Sequence, residues 1–155
     1  MYRHKGLWTT LIILLTVGLI AATPATDDVD QTVEIVGTDN LRFDVEEIEA
    51  APGETIRIVL RTESNMPPEA MAHNVAIVEP DIDMQSFINA SIQAQDNEYI
   101  APEYESQVIA NTEMIGGGEV SEITFTAPDE PGEYPYVCTF PGHYSGGMVG
   151  TLIVQ

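Results

Sequence analysis

Cys138-Thr-Phe-Pro-Gly-His143-Tyr-Ser-Gly-Gly-Met148, near the end of the 155-residue chain, is the stretch from which the rest can be read. It brings the only cysteine, one of three histidines and a methionine into a single short loop. Four residues separate Cys138 from His143, and four more separate His143 from Met148. The flanking runs, Tyr134 to Cys138 and Val149 to Val154, read as strands leading in and out. Gly142, Gly146 and Gly147 free the connection to fold back tightly, so that the three side chains can converge. Thiolate, imidazole and thioether are donors that copper prefers. Two histidines and a cysteine in a trigonal plane, with a long axial methionine, make an electron-transfer centre. The loop supplies three of those four donors. Beyond the N-terminal segment the only other histidine is His73, so the set closes only if His73 is carried to the loop.

Each candidate also has an ordinary structural reading. A lone cysteine at a strand end is usually a small buried hydrophobe. A histidine in a strand is more often a hydrogen-bonded part of the fold, and a methionine near a chain end is usually core. The joint spacing is what favours metal. One cysteine excludes an internal disulfide and leaves a single thiol to explain. His4 precedes the first apolar run and is expected to be solvated at the cytoplasmic face rather than to bind metal.

The charge is lopsided, with 25 acidic residues against 5 basic ones and a formal net charge of −20. Two of the basic residues, Arg3 and Lys5, lie before the first apolar run, so the rest of the chain keeps Arg42, Arg57 and Arg61. Such a surface repels nucleic acid and anionic lipid, and suits either a basic partner or a high-salt habitat.

Leu7 to Ala22 is apolar except for threonines and one glycine. The basic residues ahead of it predict that its start stays in the cytoplasm and its end is exported. Residues 1–24 therefore read as a signal peptide or a membrane anchor. No clean small-residue cleavage site is present at Ala21-Ala22-Thr23-Pro24-Ala25, which leans toward an anchor. Residues 25–30 read as a polar linker, and residues 31–155 as one domain large enough for a real core.

The domain pattern is mostly β. Val33 and Ile35 share one face of a strand from Thr32 to Val36; Ile56, Ile58 and Leu60 share one face of another from Thr55 to Arg61. Further strands are expected at His73 to Val78, Glu119 to Thr126, Tyr134 to Cys138 and Val149 to Val154. Turns fall at Ala51-Pro-Gly53 and Pro128-Asp-Glu-Pro-Gly132. Short strands at this spacing suggest a two-sheet sandwich. Met84, Phe87, Ile88 and Ile92 follow helical spacing, which predicts one helix within Asp81 to Gln95, capped by Asp81 and packed over a sheet edge.

Five segments make a resemblance specific: Asn65-Met-Pro67, Met71-Ala-His73-Asn74, Val108-Ile-Ala-Asn111, Ile115-Gly-Gly-Gly-Glu119 and the Cys-Thr-Phe-Pro-Gly-His loop. Over Val29 to Gln155 the chain resembles a cupredoxin of the azurin and auracyanin type. The resemblance implies an all-β Greek-key sandwich with one short helix insertion, preceded here by an N-terminal hydrophobic helix. It implies one type 1 copper ion, with His73, Cys138 and His143 as equatorial ligands and Met148 as the axial one. Four residues between His143 and Met148, rather than azurin's three, point to the auracyanin side. Ala72 stands where azurin has a glycine whose carbonyl approaches copper, so a weak fifth contact from Ala72 is implied. Asn74, Thr139 and Phe140 would surround the thiolate, the backbone N–H groups of Asn74 and Phe140 facing its sulfur. Met66, Pro67, Pro68, Met71, Pro141 and Tyr144 would form a docking patch beside His143.

These expectations describe an electron carrier, not an enzyme, exchanging electrons with a cytochrome-like redox protein outside the cytoplasmic membrane. A copper enzyme would need a second metal with histidines this chain lacks. The alternative is copper storage or delivery, but Met66, Met71, Met84 and Met114 are too scattered to favour it. A sandwich adhesion module would bind no metal and remain colourless with copper.

Overall fold

The computed structural model describes Asp28 to Gln155; the expected signal peptide or anchor (residues 1–24) and residues 25–27 of the linker lie outside the described residues. The strands, in chain order, are β1 (Gln31–Thr38), β2 (Arg42–Phe43), β3 (Glu47–Ala50), β4 (Thr55–Glu63), β5 (Ala72–His73), β6 (Ala76–Val78), β7 (Val108–Asn111), β8 (Ile115–Gly116), β9 (Val120–Thr126), β10 (Gly132–Val137) and β11 (Val149–Val154). Helix α1 (Met84–Ser91) lies between β6 and β7, and a one-turn helix α2 (His143–Gly146) between β10 and β11. Asp30, expected as the end of the linker, is already part of the sandwich. Its N–H donates to Thr55 O at 2.9 Å, and Thr55 N–H donates to its carboxylate at 2.8 Å. Among the described residues no helix is long and apolar enough to cross a membrane.

Two sheets face each other. One has the order β2-β1-β4-β9 and the other β3-β11-β10-β6-β7. The chain leaves the first sheet after β2, lays β3 into the second, and returns as β4 parallel to β1. Strand alternation decides what lies between the sheets. Along β4, Ile56, Ile58, Leu60 and Thr62 are buried, while Arg57 and Arg61 face out. Ile35, Ile48, Tyr136, Leu152 and Val154 meet them from the other strands. Each large apolar side chain so buried contributes about 1.5–3 kcal/mol.

The second sheet is also covered on its outside. In β6, Ile77 points into the core between the sheets. Ala76 and Val78 point the other way and, with Val137, lie under Phe87 and Ile88 of α1. The helix thus covers a sheet face rather than the sheet edge expected from sequence, because these three outward side chains would otherwise meet water. It is also shorter than expected, and its cap is Asp83 rather than Asp81. Asp83 accepts from Ser86 N–H at 3.2 Å and from the Ser86 hydroxyl at 2.8 Å, which satisfies an N–H the first turn leaves free.

The segment expected as one strand from His73 to Val78 is divided in two. Val75 N–H donates to Thr112 Oγ1 at 3.0 Å, and Thr112 N–H returns to Val75 O at 3.0 Å. This side-chain detour breaks the ladder. Upstream of it, β5 leaves the second sheet and pairs with β8, His73 opposite Ile115. The break is what frees His73 to face the loop after β10.

Candidate metal centre

Four elements deliver the four expected donors. His73 ends β5, Cys138 follows β10, His143 opens α2, and Met148 stands directly before β11. Gly142 adopts φ 86°, a left-handed conformation that reverses the chain before His143 at no steric cost. The main chain binds the three loop donors to one another. Cys138 N–H donates to Met148 O at 3.1 Å, and Met148 N–H donates to His143 O at 3.0 Å. His143 N–H in turn bonds Phe140 O at 3.1 Å.

Three donor atoms meet in the interior. Cys138 Sγ lies 3.4 Å from His143 Nδ1 and 3.9 Å from His73 Nδ1. The two Nδ1 atoms are 3.2 Å apart. His73, Cys138 and Met148 are fully buried, and His143 is 3 % exposed. Ala72 O lies 4.0 Å from the sulfur.

Burial dominates the electrostatics. It pushes both imidazoles down from 6.5 to about 4; Asp39 partly opposes this for His73, and the neighbouring His73 adds to it for His143. Burial pushes the Cys138 thiol up to about 12, against the backbone N–H groups of Asn74 and Phe140, which face the sulfur and favour its anion. Desolvation thus leaves neutral groups where a cation is absent. A soft or borderline metal ion reverses that balance, since it takes a thiolate and neutral imidazoles. One sulfur and two ring nitrogens converging in a dry site fit copper.

The surroundings hold this arrangement. Asn74 Nδ2 donates to Thr139 Oγ1 at 2.9 Å, and Thr139 N–H donates to Asn74 Oδ1 at 2.9 Å. Phe140 packs on the His143 ring with centroids 4.7 Å apart. Of the residues expected around His143 at the surface, Met66, Pro67, Pro68 and Pro141 are exposed. Met71 is buried and does not belong to an exposed patch. Tyr144 is half-buried against the cluster under α1.

Sequence reasoning missed Gly37 in β1. A Cβ there would lie 2.8 Å from His73 Cδ2 and 3.0 Å from Met148 Cε. Its signal was available: an isolated glycine in an alternating strand marks a close approach.

A profile of copper-binding proteins of the plastocyanin/azurin family matches residues 29–155. The chain belongs to this family. Azurin from Pseudomonas aeruginosa is 32% identical over 150 residues, covering 94% of this chain and 95% of azurin. Auracyanin-B from Chloroflexus aurantiacus is 33% identical over 126 residues, covering 80% of this chain and 52% of that one. Outer membrane protein H.8 from Neisseria gonorrhoeae is 34% identical over 114 residues, or 72% of this chain; the chain spans 60% of that relative's length. Dithionite-reduced auracyanin from Roseiflexus castenholzii superposes with a TM-score of 0.71 at 34% identity, covering 80% of this chain and 96% of that one. In this cupredoxin His73, Cys138, His143 and Met148 are positioned as a type 1 copper site.

Proposed function

We propose that the chain carries single electrons between redox proteins outside the cytoplasmic membrane, with His73, Cys138 and His143 as equatorial ligands and Met148 as the axial one. The observation that carries this reading is the buried meeting of one thiol sulfur and two imidazole nitrogens within 3.9 Å. Copper, when bound, supplies reversible one-electron chemistry. The chain's own residues supply the rest. The three loop donors are already gathered by main-chain bonds and His73 is held on β5, so little has to move. The two N–H groups facing Cys138 draw electron density from its sulfur, and the apolar surroundings exclude water.

His143 is the only one of the four donors with any exposure, at 3 %. It is therefore the route by which an electron leaves, with exposed Met66, Pro67, Pro68 and Pro141 as the contact surface. Weak redox encounters use small interfaces, and a net charge of −20 attracts a basic partner such as a cytochrome. Arg3 and Lys5 ahead of Leu7 to Ala22 support export, with that segment as signal or anchor. Burial of all four donors favours a carrier over copper delivery, which needs an accessible ion.

The test is to add Cu(II) to the purified full-length chain and record its visible and EPR spectra. An intense sulfur-to-copper charge-transfer band is expected, and Cys138→Ser should abolish it even where copper still binds. A colourless wild-type protein, or a Cys138→Ser variant that keeps the band, would overturn the assignment.

A further inference from the structure

The corner between β1 and β2 donates no ligand, yet it packs against His73, Met148 and the Gly146–Gly147 peptide. Gly37 backs the His73 ring and the Met148 methyl group. Leu41, held at φ 56°, lies where a Cβ on Gly146 would be, its Cδ1 2.6 Å and its Cβ 3.0 Å from that point. Next to it, Arg42 Nη1 donates to Leu41 O at 2.9 Å and also to Gly146 O. The guanidinium covers Gly147, whose φ of 95° only glycine adopts readily.

The carbonyls of α2 explain why Arg42 matters. A helix leaves its last carbonyls without partners inside the helix. His143 O receives Met148 N–H, Tyr144 O receives Gly147 N–H, and Gly142 O receives Gly146 N–H. Gly146 O, two residues before Met148, is bonded by Arg42 from a distant strand. Arginine at a helix C-terminus suits the negative end of the dipole. Its position follows from strand alternation, because Phe43 beside it is buried against Tyr136 and turns Arg42 outward.

We propose that Arg42 is a positioning residue for the copper site, fixing the Gly146–Gly147 peptide and through it the Met148 thioether. The inference rests on the copper reading above. An axial methionine contact is long and weak, so small displacements of it tune the metal. Arg42 is one of three basic residues beyond the N-terminal segment, and its side chain is tied to two carbonyls of the main chain rather than to a carboxylate.

The test compares full-length wild type with Arg42→Ala and Arg42→Lys. Copper affinity is measured by chelator competition, alongside visible and EPR spectra, reduction potential, apo and copper-loaded melting temperatures, and amide exchange at Met148 in the apo protein. Arg42→Ala should lose about 10–100-fold in copper affinity, as for other supports around metal ligands. Its spectra should shift and its Met148 amide exchange faster even without metal, with Arg42→Lys falling between. Three results would overturn the proposal: wild-type affinity and spectra in Arg42→Ala; a change in potential alone, which is the loss of a charge; or equal loss of apo and copper-loaded stability with an unchanged spectrum. A wild-type protein that takes up no copper would instead remove the copper reading itself.

Discussion

At the scale of single residues, Cys138 and the two imidazoles are neutral in the metal-free fold at pH 7, because burial holds the thiol up at about 12 and the rings down at about 4. Copper binding at neutral pH should therefore release one proton per ion, that of the thiol, and none from the rings. Calorimetry in buffers of different ionisation enthalpy measures this number; a value near zero would mean that the thiol is already ionised. The same shifts set the acid sensitivity of the apo protein. Unfolded imidazoles titrate near 6.5 and the folded ones near 4, so below 6.5 the unfolded chain binds more protons. Apo stability should be full above pH 6.5 and fall as the pH drops toward 4, because protonating either ring in the interior opposes its burial and the two charges would lie side by side. Denaturant melts of the apo protein at pH 7.5 and 4.5 check this, and equal midpoints would contradict it. Gly37→Ala forces a methyl group onto the His73 ring and Met148. Overpacking of this kind costs about 1–3 kcal/mol, and here it should also shift the charge-transfer band, read by melting and by visible spectra. The loop donors were legible in the sequence because three chemically matched residues share eleven positions. Arg42 was not, because nothing in its neighbours reveals which carbonyl a long side chain will reach.

Among the elements, the alternating strands were legible and the interrupted ones were not. β4 shows four inward residues in strict alternation, whereas β2, β5 and β8 are two residues long and carry no period at all. β3 does alternate, Glu-Ile-Glu-Ala, but it is at the short limit of a strand signal and three of its four residues are types that strands disfavour. The division of β5 from β6 depends on a hydroxyl at Thr112, far along the chain, and no local pattern reveals it. Asn74 sits inside that break and ties it to Thr139 by paired 2.9 Å bonds. Asn74→Ala should lower copper affinity by about 10–100-fold while leaving α1 and its cluster intact. Chelator competition reads the first effect and amide exchange in α1 the second; wild-type affinity would mean that β5 holds His73 without help.

For the molecule as a whole, a net charge of −20 has two consequences of opposite sign. Self-repulsion destabilises the compact state and salt screens it, so the melting temperature should rise with added NaCl. The attraction proposed for a basic redox partner would be screened by the same ions, so the association rate should fall over that range. Calorimetric scans and stopped-flow mixing with a basic cytochrome measure the pair. A melting temperature independent of salt would show that the acidic surface places no burden on folding.

The pairing of Val137 with Val149 closes a hairpin whose connection holds Cys138, His143 and Met148, while His73 stays on the framework. The ladder partners at its two feet are set by β10 and β11 and do not depend on what joins them. The connection is therefore a replaceable cassette: its length and composition can drift, and with them the redox character, while the sandwich beneath keeps its register.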